Sequence, residues 1–188
     1  WWVAGTFRAD DLVGTRTYYV DYGSLVQNGA PSSPLTVVDT GTYYAVNTGN
    51  GHMFEINKVG SFFRRVSVNG QDIISPDTLN GLEVKDKNNI LYSSWNGPRT
   101  VTLEQQGDLH TVFKIEGFLW NSAGTTSSSF LKYIVRLKIY NDGTVEMPLV
   151  IQNPDDFDRN INGNHKRFKG LDFVVNLNLN TQKQLQLT

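Results

Sequence analysis

Asn164-His165-Lys166-Arg167, followed by Lys169, places an imidazole among cations, a grouping that could neutralise an acidic sugar and supply a base for proton abstraction beside its carboxylate. The chemistry this would serve is polysaccharide β-elimination. The competing reading is a charged loop in water, where runs of charge usually lie. A few residues earlier, Asp158, Asn160 and Asn162 carry side-chain oxygens at alternate positions and Gly163 follows, as in the first half of a calcium loop. The position that should hold a bidentate Glu is Lys169, so a cation would meet positive charge there, and a solvated turn is the stronger expectation. Trp95 with Asn96, and Trp120 with Asn121, pair flat aromatic faces with amides beside turns. Such pairs suit stacking on the apolar face of a sugar with hydrogen bonds to its hydroxyls, although large aromatics also close the ends of β-cores. His52 and His110 alternate with apolar neighbours and read as partly exposed strand residues.

Several other chemistries are absent from the pattern. No Gly-rich cradle follows a strand and opens a helix, no Ser stands in a nucleophile elbow, and the sequence contains no Cys. The three His show no metal-ligand spacing, and no cofactor is expected. A formal net charge of −1 with 19% charged residues provides no field for collecting nucleic acid or anionic lipid, and no apolar run reaches the length of a membrane helix.

The elements that would carry these residues are strands. Leu131, Tyr133, Val135, Leu137 and Ile139 alternate with Lys132, Arg136 and Lys138. Asn141-Asp142-Gly143 then turns the chain into Val145, Met147, Leu149 and Ile151, which completes an amphipathic hairpin. Similar runs recur at 1–7, 18–22, 35–38, 43–46, 52–56, 62–68, 82–84, 90–92, 101–103, 109–118 and 171–179, with Phe173, Val175, Leu177 and Leu179 expected on one buried face. Val68-Asn69-Gly70-Gln71 is the signature of a two-residue type I′ hairpin. Pro148 marks an edge or bulge, Gly117 a bulge or bend, and the Ser-rich stretch after Asn121 a protruding loop. Tyr18-Tyr19, Tyr43-Tyr44 and Phe62-Phe63 should each send one ring to either face of a strand. The fold expected is all-β, an antiparallel β-sandwich or partly closed barrel with little or no helix. Residues 1–188 read as a single β-domain excerpted from a longer chain.

The order of segments resembles a known domain. Trp2-Val3-Ala4-Gly5-Thr6-Phe7 with Tyr18-Tyr19-Val20, then FEINKVGSFFRRVSVNGQDII (54–74), VTLEQQGDLHTVFKIEGFL (101–119), LKYIVRLKIYNDGTVEMPLVIQNP (131–154) and KGLDFVVNLNL (169–179), are similar to the N-terminal RIFT-barrel β-domain of the exo-rhamnogalacturonan-lyase-like family. That domain also occurs in phage tail and bacterial surface proteins. The resemblance implies a β-rich accessory domain of a carbohydrate-facing protein and transfers no catalytic residue. Three settings follow: a non-catalytic structural or glycan-facing domain of a virion or extracellular surface assembly, an accessory domain of a polysaccharide lyase, or a module that only builds subunit contacts. The partners expected are neighbouring subunits or domains and surface polysaccharide, with no nucleic acid and no membrane insertion.

Overall fold

The computed structural model describes residues 34–121, 129–154 and 166–178. Among them no helix occurs, and the strands form two antiparallel sheets, as the alternation predicts. The smaller sheet is a meander of β1 (Thr36–Asp39), β2 (Tyr43–Asn47), β3 (His52–Asn57), β4 (Phe63–Val68) and β5 (Gln71–Ile74). The larger contains β6 (Asn80–Asp86), β7 (Leu91–Ser93), β8 (Arg99–Gln106), β9 (His110–Asn121), β10 (Ser129–Tyr140), β11 (Val145–Glu146), β12 (Leu149–Gln152) and β13 (Phe168–Val175). Its order is β11-β10-β9-β7-β6-β13, with β12 also on β10 and β8 also on β9. The expected strands at 1–7 and 18–22, the Ser-rich loop, and Leu179 lie outside the described residues.

The long β9–β10 hairpin is the spine. Leu131, Tyr133, Val135, Leu137 and Ile139 are all buried, facing Phe113, Ile115 and Leu119 of β9 and the inner residues Val46, Phe54, Ile56 and Val66 of the smaller sheet. The turns follow their sequence signals. Asn69 and Gly70 both have positive φ (51° and 78°), as a type I′ turn requires, and Val68 pairs with Gln71. Pro148 separates β11 from β12 along one edge, and its carbonyl accepts from the Arg136 N–H at 3.0 Å.

Four local readings need correction. Phe62 and Phe63 do not divide between faces: β4 begins at Phe63, so Phe62 belongs to the preceding turn, and both rings are buried. Tyr43-Tyr44 does divide, with Tyr44 packed on Phe113 (5.1 Å between centroids) and Tyr43 beneath the Arg64 guanidinium. Gly117 is neither a bulge nor a bend. Its register is continuous from Arg99 to Tyr133, and an added Cβ would lie 2.9 Å from the Arg99 Cβ and 3.0 Å from the Tyr133 hydroxyl, so it is a point of close approach. Phe173 faces Phe62 at 6.2 Å but is 42% exposed, because β13 is an edge strand with little above it. His110 is buried rather than partly exposed, with its ring 5.7 Å from that of Tyr140.

The larger sheet curls. Phe62 contacts Tyr133 on β10 at 5.8 Å and Phe173 on β13 at 6.2 Å, although those strands stand four places apart in the sheet. At about 4.8 Å per strand, a flat sheet would separate them by about 19 Å. Two polar side chains hold the turn that carries Phe62. Asn80, fully buried on β6, accepts from the Phe63 N–H (2.8 Å) and donates to the Phe63 carbonyl (2.7 Å), while its own carbonyl accepts from the Phe62 N–H (3.2 Å). Arg99 on β8 donates to the carbonyls of Gly60 (2.6 Å), Asn57 (2.5 Å) and Ser61 (2.6 Å).

Truncating Leu137 to Ala is expected to cost about 2–5 kcal/mol of unfolding free energy, as for other fully buried leucines. Asn80→Ala should cost about 2–4 kcal/mol, because both Phe63 backbone groups lose their partner at about 1–3 kcal/mol each. Urea denaturation of the two variants measures both, and a loss below about 1 kcal/mol for Asn80→Ala would show that water replaces the amide.

Candidate functional site

The two tryptophans, distant in the sequence, both come to lie against the β6–β7 pair, Trp120 opposite Ser93 and Trp95 against Gly81. On β9 the odd positions from Phe113 to Leu119 face the core, so Trp120 points to the outer face of the larger sheet. Residues opposite each other in a ladder share a face. Trp120 pairs with Ser93, Ser93 with Glu83, and Glu83 with Asp172, so one row crosses β9, β7, β6 and β13 on that outer face.

The turn at 94–98 follows directly on this row and carries Trp95. Ser94 continues the β6 ladder, donating its N–H to the Leu82 carbonyl (2.9 Å) and accepting from the Leu82 N–H through its hydroxyl (3.0 Å). This sets Trp95 against Gly81, where an added Cβ would lie 3.4 Å from the indole Cε3. Gly97 sits on Trp120, and a Cβ there would come within 1.6 Å of the indole Cδ1 and 2.1 Å of Nε1. Both indoles are half-buried, and Asn96, between them in sequence, is exposed. The Trp120 Nε1, the Ser93 hydroxyl and the Asn121 Oδ1 are buried without hydrogen-bond partners. Asn121 pairs with Tyr92, beside the core, so its amide does not join Asn96 at the surface. The exposed part of either indole offers a flat apolar face, and the exposed Asn96 follows Trp95 in the turn.

The basic group is dispersed. His165 and the calcium candidates Asp158, Asn160 and Asn162 lie outside the described residues. Lys166 donates to the Phe130 carbonyl and lies over that ring, Lys169 donates to the Asn89 side chain (2.7 Å), and the exposed Arg167 accepts from the Lys87 N–H through its carbonyl (3.1 Å). Both lysines hold neighbouring elements. Among the described residues, no three His, Cys, Asp or Glu side chains gather as metal ligands.

Sequence reasoning missed Arg99 and Glu83. Burial pushes the Arg99 guanidinium down to about 10, so it remains a cation at neutral pH, and burial pushes the neighbouring Tyr133 phenol up to about 12. Both groups keep their ordinary protonation, and neither the Arg99 Nε nor the Tyr133 hydroxyl has a hydrogen-bond partner. The site is inter-sheet structure rather than acid–base machinery. Glu83 gave no signal because its meaning comes from Ser93 and Asp172, which only pairing brings alongside.

Two antiparallel sheets packed over one core place the chain in the class of β-sandwich modules. Residues 35–180 match the family model of the PcRGLX-like protein central beta sandwich domain, and the chain belongs to this family, which comprises domains of rhamnogalacturonan-lyase-like proteins. The resemblance in the sequence thus led to the right family, while the matching part is its central sandwich rather than its N-terminal barrel. No curated protein matches the chain.

Burial, together with the nearby Lys138 cation, holds the His110 imidazole below its ordinary 6.5, with Glu146 opposing. As pH falls, the unfolded chain takes up this proton before the folded one. The contribution of neutral His110 is therefore intact above 6.5 and is lost as pH drops from 6.5 toward the lower folded value. Urea midpoints measured across that window are expected to fall with pH, and His110→Gln should flatten the slope; an unchanged slope would remove His110 as its source.

Proposed function

We propose that this chain is a non-catalytic accessory β-sandwich of a carbohydrate-associated protein, and that it meets glycan through the outer face bearing Trp95, Asn96 and Trp120. The carrying observation is that Trp120 lies on the outer face opposite Ser93, and that the turn leading out of Ser93 carries Trp95, 25 positions away in sequence, with part of each indole exposed. Membership in a lyase-like family supports the carbohydrate setting. The virion and extracellular settings read from the sequence draw no support from that membership. A structural, domain-contact role is the second reading. It is favoured by Phe168 and Phe173, exposed on the edge strand β13, where neighbouring subunits or domains would pack.

Stacking on an indole needs no charge, so binding should be insensitive to salt, whereas capture by Lys166, Arg167 and Lys169 would weaken as salt screens it. Titration of polysaccharides followed by tryptophan fluorescence, at low and high salt, is expected to show salt-insensitive binding that Trp95→Ala weakens at least about tenfold, the equivalent of about 1.4 kcal/mol. Trp120→Ala also removes the seat of Gly97, so its stability must be measured alongside. A lyase assay that follows unsaturated-uronate absorbance should show no turnover by this chain. Turnover lost on His165→Ala would overturn the accessory reading, and binding unchanged in Trp95→Ala would favour the domain-contact reading.

A further inference from the structure

Like charges directly opposite each other on neighbouring strands are destabilising, and sheets ordinarily avoid them. Here Glu83 and Asp172 are Cα partners on the outer face, and neither forms an ion pair or hydrogen bond among the described residues. Lys85, two positions along β6 on the same face, pairs with neither. Several acidic groups on other strands behave differently, since Glu55, Asp72, Glu104 and Glu116 each hold a cation, whereas Glu146 on β11 also holds none among the described residues. The same row contains a second anomaly. Ser93 pairs with Glu83 on one side and Trp120 on the other, is 1% exposed, and its hydroxyl has no partner. Two free carboxylates, an unpaired hydroxyl beside Glu83 and the half-exposed Trp120 indole are thus aligned across about three strand spacings, roughly 14–15 Å, and Trp95 stands in the turn that follows Ser93.

We propose that Glu83 and Asp172 are the polar half of a sugar subsite whose apolar half is Trp95 and Trp120, and that the subsite takes uncharged sugar residues rather than uronates. A carboxylate is acceptor-only and offers two oxygens, which suits paired donation from adjacent sugar hydroxyls. The indoles supply the apolar face for the ring's C–H groups. The same carboxylates repel an anionic glycan, so the row selects against uronic acids as well as for hydroxyls. Ser93, at the floor, is the residue through which a hydroxyl or a bridging water would complete the network. The inference rests on the reading of this face as glycan-binding and narrows it to one ligand class.

The experiment uses isothermal titration of the whole chain with galactan, xylan and glucan as neutral probes and polygalacturonate as the acidic one. The isosteric variants Glu83→Gln and Asp172→Asn are compared with Trp95→Ala, and melting temperatures serve as the folding control. Expected are binding to at least one neutral probe, none to polygalacturonate, and a loss of about tenfold or more in each carboxamide variant at an unchanged or higher melting temperature, since a charged acceptor is replaced and a repulsion removed. Neutral-probe binding that Trp95→Ala abolishes but both carboxamide variants retain would overturn this inference and leave the aromatic face standing. Binding to polygalacturonate alone would overturn it too, as would neutral-probe binding abolished by a chelator, which would make the carboxylates cation ligands. Absence of binding to all four probes would overturn both readings.

Discussion

The turn from Asn57 to Phe63 is the pin on which this sandwich closes. Its backbone is claimed by two side chains of the opposite sheet, Arg99 from β8 and Asn80 from β6. Those bonds set Phe62 at the point where β10 and β13 come around to meet it. Without the pin the smaller sheet would still be a meander and the larger one a long hairpin with flanking strands. The distance between the sheets and the curl of the larger one would have no polar lock.

A buried guanidinium without a carboxylate is an unusual lock, and its energetics explain its surroundings. Removing a cation from water costs several kcal/mol unless its donors are met. Three carbonyls meet those of the terminal nitrogens, and the Phe62 ring adds a cation–π contact at 5.3 Å. The remaining cost of burial shows as a guanidinium pushed down to about 10, and its Nε is unpaired. Room for the side chain comes from Gly117 opposite, where any Cβ would strike Arg99 and the Tyr133 hydroxyl. Glycine, arginine and tyrosine on three adjacent strands therefore form one unit, in which β8, β9 and β10 each contribute a member.

The outer face obeys different constraints. On β8, β9 and β10 most of its charges are paired, with Glu116 between Lys114 and Lys132 and Glu104 on Arg136, while Lys138 lies over the Tyr140 ring. Further along the same sheet the pairing stops, and indoles, amide and unpaired carboxylates take over. This change occurs where β9 exchanges β8 for β7 as its neighbour, so the turn at 94–98 both links those strands and delivers Trp95 to the surface. Gly81 and Gly97 make the delivery possible by leaving seats for the two rings. The polar lock thus stays in the core while the unpaired carboxylates gather at one outer corner.

Alternation was enough to settle the local architecture, because side-chain period two is a property of the strand itself. The β10 face, the type I′ turn at Asn69-Gly70, the interruption at Pro148 and the absence of helix among the described residues were all legible in the residues. So was the family, through the order of segments. The sequence could also name Trp95, Asn96, Trp120 and Asn121, but not place them. Which residues sit opposite one another depends on register between strands distant along the chain, and single-chain periodicity carries no such information. Only the tertiary structure put Trp120 beside Ser93, Ser93 beside Glu83 and Glu83 beside Asp172, separated Asn121 from Asn96, and left Phe173 exposed on an edge. It alone gave Arg99 and Asn80 their purpose, since a lone Arg before a strand and an Asn before a Gly look like turn residues until the opposite sheet is present to receive their hydrogen bonds.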